Sequence, residues 1–188
     1  MLALVVTAAV GGTVLFNRLV RLRNRWENAF AQIDVQLRRR HDLIPNLVET
    51  VRGYMAHERE TLDAVISARA GAVRAQDAAR PGDAASMASL AGAEGMLSGA
   101  LGRLMAVAES YPTLQADAQV SGLREELTST ENRVAFARQA YNDAATRFNS
   151  AAETFPGIVV ARSFGFEAAS LLEDREPAIQ QAPRVALA

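Results

Sequence analysis

The chain has 188 residues and a net charge of -1, with 49% apolar and 22% charged residues. That is enough for one domain with a real core, and too balanced a charge to draw in nucleic acid through a global field. Cysteine is absent, which excludes disulfides and thiolate metal sites. All 20 basic residues are arginine, which reads as genome composition in an alanine-rich chain and not as a binding device.

Residues 1–16, "MLALVVTAAVGGTVLF", carry no charged side chain. As a helix they would rise about 24 Å, against a hydrocarbon core of about 30 Å. Leu19, Val20 and Leu22 would extend the span if Arg18 snorkels. A secretory signal would carry its charge before the apolar run. Here Arg18, Arg21, Arg23 and Arg25 follow it. The positive-inside rule then predicts a single-pass membrane anchor over residues 1–17, with the N-terminus outside and the body in the cytoplasm. A buried first helix or a cleaved signal is the alternative.

From Leu19 the apolar residues recur at Leu22, Trp26, Phe30, Ile33 and Leu37, the three-and-four spacing of an amphipathic helix. "RRRHDLIPNLVET", residues 38–50, then reads as a corner. Arg38 to Arg40 would favour a helix C-terminus, Asp42 would cap a new helix, and Pro45 would sit in its first turn. One long helix kinked at Pro45 is the other reading. The second helix carries Leu43, Leu47, Val51, Tyr54, Leu62, Val65 and Ile66 and stops at "RPGD", residues 80–83.

A third helix is expected from Asp83 to about Ser110, stopped by "SYPTL". Leu90, Leu97, Leu101 and Leu104 share one of its faces. Gly92, Gly95, Gly99 and Gly102, extended by Ala88 and Ala106, share nearly the opposite one. Helical glycine costs about 1 kcal/mol relative to alanine. Such a face suits close approach of another protomer, or is merely tolerated. The fourth helix has a heptad-like seam at Val120, Leu123, Leu127, Thr130, Val134, Ala137 and Tyr141, then Phe148, Ala152 and Phe155. It breaks at "FPG", residues 155–157. The chain thus predicts an all-α fold: a transmembrane helix continuing into an antiparallel four-helix bundle over residues 18–156. A C-terminal segment over 157–175 has a short helix from Glu167, and a disordered tail covers 176–188.

Catalytic signatures do not stand out. "HERE", residues 57–60, lacks the second histidine of a metalloprotease HExxH motif, and His41 and His57 are the only histidines. "VGGT" lies in the anchor and cannot cradle phosphate. "TENR", residues 130–133, turns Thr130 to the seam with Glu131 and Arg133 beside it, as register-setting charges do. No cofactor, metal or nucleic-acid partner is expected.

"FNRLVRLRNRWENAFAQIDVQLRRRHDLIPNLVETVRGYMAHE", "LMAVAESYP", "TENRVAFARQAYNDAATRFN" and "FPGIVVARSFGF" occur in that order. Together they resemble the LemA family over residues 16–173. The resemblance implies one N-terminal transmembrane helix, a short outer N-terminus and a cytoplasmic four-helix bundle in a bacterial envelope. Some members act beside HtpX-type membrane metalloproteases or in membrane remodelling such as magnetosome formation. No enzymatic activity is established for the family, so no catalytic residue carries over. The short N-terminus and the glycine-rich third helix are this chain's departures. The expected function is a non-catalytic scaffold at the bacterial inner membrane, self-associating into oligomers through the glycine face. The rivals are an adaptor for a membrane protease and an unrecognised enzyme.

Overall fold

A computed structural model describes residues 1–172, without the side chains of residues 4, 5 and 8. The expected tail at 176–188 lies outside the described residues. Six helices and no strand are found among the described residues. They are α1 (Leu2–Arg52), α2 (Arg59–Ala78), α3 (Ala84–Ala108), α4 (Pro112–Gln115), α5 (Ala118–Glu153) and α6 (Gly157–Ser163).

The predicted corner does not exist. α1 runs unbroken from the apolar stretch to Arg52, with Asp42 and Pro45 inside it. A proline at 45 has no N–H to donate to the carbonyl four residues back, that of His41. Arg69 of α2 replaces the missing donor: its Nε donates to the His41 carbonyl at 2.7 Å. Asp42 is exposed and caps nothing. The real turn comes at residues 53–58, where Met55 is fully buried beneath it. Leu43, Leu47 and Val51 therefore belong to α1; α2 buries Leu62 and Val65 with Ala72 and Gln76, while Ile66 is exposed.

α5 lies antiparallel along α1. Tyr54 donates its hydroxyl to Asp117 at 2.8 Å, Arg40 meets Glu131 at 3.1 Å, and the Trp26 and Phe148 rings are 6.1 Å apart. α2 is also antiparallel to α1: Arg69 meets His41, and Gln76 Nε2 donates to the Asp34 carbonyl at 2.9 Å. α2 pairs with α3 to complete the four long helices, while the α3 and α5 backbones hardly approach each other. α3 starts where the sequence puts it, with Asp83 accepting from the Ala85 and Ser86 N–H groups at 3.3 and 3.0 Å. Asp117 does the same for α5, toward Gln119 and Val120 at 2.7 and 3.2 Å. These bonds hold both carboxyls below the usual carboxylate range, helped at Asp117 above all by the Tyr54 hydroxyl.

The seam of α5 buries Val120, Leu127, Thr130, Val134, Tyr141 and Phe148. Phe155 departs from it: it lies past the helix end and is 83% exposed. The short C-terminal helix is α6, not one starting at Glu167. It fits only because residue 157 is glycine, since a Cβ there would stand 2.1 Å from the Ala151 carbonyl oxygen. Gly165, at φ 67°, closes α6 by letting the Phe166 N–H reach the Ala161 carbonyl at 3.0 Å.

Residues 166–172 then run without helix along α5. Asn149 exchanges two hydrogen bonds with the backbone of Ala169, at 2.9 and 2.8 Å. Asn142 does the same with Leu172, at 3.0 and 2.9 Å. Seven helical residues rise about 10.5 Å and three extended ones span about 10 Å, so the two amides meet the strap in step. The Tyr141 hydroxyl is shared between the carbonyls of Ser170 and Pro81, and burial pushes its pKa up to about 12.

Candidate functional site

Because α3 and α5 stand apart, a groove of about 830 Å³ opens between them with α1 as its floor. Its apolar lining comes from Ile33 and Leu37 of α1, Leu90 of α3, Val134 of α5 and Leu172 of the strap. In the floor lies Arg40, only 4% exposed. Its guanidinium donates to Glu94 Oε2 at 3.0 Å, Ser98 Oγ at 2.8 Å and Glu131 Oε1 at 3.1 Å. Glu94 Oε1 in turn meets His41 Nε2 at 2.7 Å. His41 is 2% exposed, and its Nδ1 has no hydrogen-bond partner among the described residues. It does not line the groove.

Three helices thus deliver one charge network: Arg40 and His41 from α1, Glu94 and Ser98 from α3, Glu131 from α5. A buried ion needs such partners, and removing one partner of a buried pair is far more damaging than replacing both. Both Glu94 oxygens are engaged, and Arg40 makes three bonds. The polar groups are spent on one another, which joins α3 to the α1–α5 pair across an otherwise open side. Among the described residues, no group of three or more His, Asp or Glu side chains is placed to hold a metal ion.

Arg40, expected at a helix end, lies well inside α1. A usable signal was there. Ile33, Leu37, Arg40, Ile44 and Leu47 are spaced by three and four, so Arg40 occupies a core position of α1. Glu94, Ser98 and His41 carried no comparable mark.

The six predicted face residues of α3 are all exposed: Ala88, Gly92, Gly95, Gly99, Gly102 and Ala106. Gly92, Gly95 and Gly99 line one edge of the groove, and Gly102 lines a smaller adjoining cavity with Arg124 and Thr128. A Cβ added at any of the four glycines would meet nothing within 4 Å. The α3 leucines opposite them are buried, as their spacing predicts. Arg18, Arg21, Arg23 and Arg25 are all exposed just past the apolar stretch. Arg23 lies 3.8 Å from Glu27 and 5.5 Å from the centre of the Phe166 ring.

The sequence profile of the LemA family matches residues 29–187. The chain belongs to the LemA family. Among its LemA-like relatives are magnetosome proteins MamQ 1 and MamQ 2 of Paramagnetospirillum magneticum, 27% identical over 177 residues, covering 85% of this chain and 65% of each relative. The magnetosome protein MamQ of Magnetospirillum gryphiswaldense is 28% identical over 175 residues, covering 82% of this chain and 64% of the relative. The chain therefore spans a little under two thirds of the length of these relatives.

Proposed function

We propose that this LemA-family chain is a membrane-anchored, non-catalytic helical scaffold that self-associates through the exposed face of α3. The observation that carries the membrane part is the first stretch of α1. It stands clear of the bundle, and Met1, Leu2, Val6, Val10 and Val14 are exposed. A contiguous apolar surface of that kind marks a membrane or partner contact. Among the described residues no helix is long and apolar enough to cross a membrane. Leu19 cannot lengthen the stretch, because it is buried against Val160 and Ala161. The anchor is therefore a short one. Arg18, Arg21, Arg23 and Arg25 favour a bundle on the cytoplasmic side of a bacterial inner membrane. The relatives' name as magnetosome proteins agrees with a role at a membrane-bounded structure.

Self-association rests on α3. Its glycines offer open space where a second helix can come close and gain dispersion contacts. Anchored protomers are already aligned, which lowers the rotational cost of association. Gly95→Leu with Gly99→Leu should leave helicity equal or greater by circular dichroism, since a Cβ at either position enters open space and leucine favours helix over glycine. Sizing in detergent should give smaller particles than the parent. Assembly like the parent's would sink the glycine face as the contact. The groove supports a second reading, an adaptor that takes a segment of a membrane partner such as an HtpX-type metalloprotease. A monomer that gains mass only with the partner would favour it.

A further inference from the structure

α6 and its flanking turns carry three exposed apolar side chains: Phe155 at 83%, Val159 at 56% and Phe164 at 64%. Phe164 touches the Phe16 ring with one side only and keeps most of its surface free, and Phe155 and Val159 lie outside the buried clusters of the described residues. Their place is fixed, because α6 packs on α1 where the apolar stretch ends, around Leu15, Phe16 and Leu19. The Phe16 ring lies 4.8 Å from that of Phe164 and 5.7 Å from that of Phe166. The exposed apolar surface of α1 at Val10 and Val14 thus continues onto α6. Exposed arginines surround this junction: Arg18 and Arg21 on α1, Arg147 at the end of α5 and Arg162 on α6. Among the described residues the acidic groups at this end are Glu153 and Glu167, with Asp143 and Glu27 farther along α5 and α1 beside Arg25 and Arg23, so cations predominate at the junction itself.

We propose that α6 is a second membrane contact, an interfacial knob in which Phe155, Val159 and Phe164 sink into the headgroup and acyl boundary of an anionic bilayer. This rests on the membrane reading of α1 given above. Two physical arguments choose lipid as the occupant. An uncharged stretch of about 24 Å falls short of a hydrocarbon core of about 30 Å. Apolar side chains at the interface level offset such a mismatch by drawing the bundle down to the surface. The arginines also match the anionic headgroups of a cytoplasmic leaflet, with stems that lie along apolar surface while the charges stay in water.

The test uses the full chain in vesicles of equal parts phosphatidylcholine and phosphatidylglycerol with brominated acyl chains, which quench nearby tryptophan. The native Trp26 is buried in the bundle and gives the background. Three variants are compared: Val10→Trp in the apolar stretch, Phe164→Trp on the knob, and Phe136→Trp, whose site on α5 is 70% exposed and remote from α6. The expected result is that Val10→Trp and Phe164→Trp lose most of their added emission, and Phe136→Trp keeps its own. If only Val10→Trp is quenched, the knob proposal is overturned and the anchor stands. If neither is quenched, both fall. Quenching of Phe164→Trp without Val10→Trp upholds the knob and overturns the anchor. An unquenched Phe164→Trp whose emission is blue-shifted even in unbrominated vesicles means a second copy covers α6, which overturns the lipid contact.

Discussion

At the scale of single residues, Pro45 and Arg69 form a unit. The proline removes a donor from the middle of α1, and a side chain of another helix returns one. A half-buried carbonyl left without a partner costs about 1–3 kcal/mol. Arg69→Met, which keeps much of the stem's bulk, should therefore lower unfolding stability by that amount in chemical denaturation. In a Pro45→Ala background the backbone N–H is restored, and the same substitution should cost distinctly less. Equal costs in the two backgrounds would show that Arg69 acts by packing and not by mending α1. This pair also explains why the corner was misread. Proline and an aspartate three residues before it are a sound local signal for a helix start, and local signals carry no information about a guanidinium 28 positions away. Arg40 was misread for the same reason in reverse: its type says surface, its register says core.

Among the elements, those with a strong period were legible. The α3 start at Asp83, the buried leucine face of α3 and the seam of α5 down to Phe148 all follow from spacing. What spacing cannot reach is the strap at 166–172, because it is held by side chains of α5 and not by a pattern of its own. Asn142 and Asn149 stand seven residues apart and act as surrogate strand neighbours, each offering a donor and an acceptor to one backbone unit. Asn149→Ala leaves the Ala169 N–H and carbonyl without partners. Denaturation should show a loss of about 1–3 kcal/mol, and the Ala169 amide should exchange its hydrogen much faster. Unchanged protection at Ala169 would mean that the strap is held by the burial of Ala169 and Leu172 instead. α6 was displaced from its expected position by the same blindness, since its start depends on a glycine contact with the Ala151 carbonyl.

For the whole molecule, the first buried residue among those described is Leu19. Deleting residues 1–16 should leave the helices intact by circular dichroism. Fractionation should show the protein changing from one that stays with membranes to one released by high salt, as α6 and the arginines alone would hold it only weakly. Loss of helicity on truncation would mean that the apolar stretch is part of the fold. The unbroken α1 has one more consequence. Its 51 residues at 1.5 Å each make a rod of about 76 Å. On the proposed anchoring, with its first turns held in a bilayer, the rod would work as a lever: a tilt of about 10° at the membrane would swing its far end through about 13 Å. Gly53, Tyr54 and the Asp117 cap ride on that end. A change in lipid thickness too small to alter any contact inside the bundle would be magnified there into a sideways displacement wider than a helix.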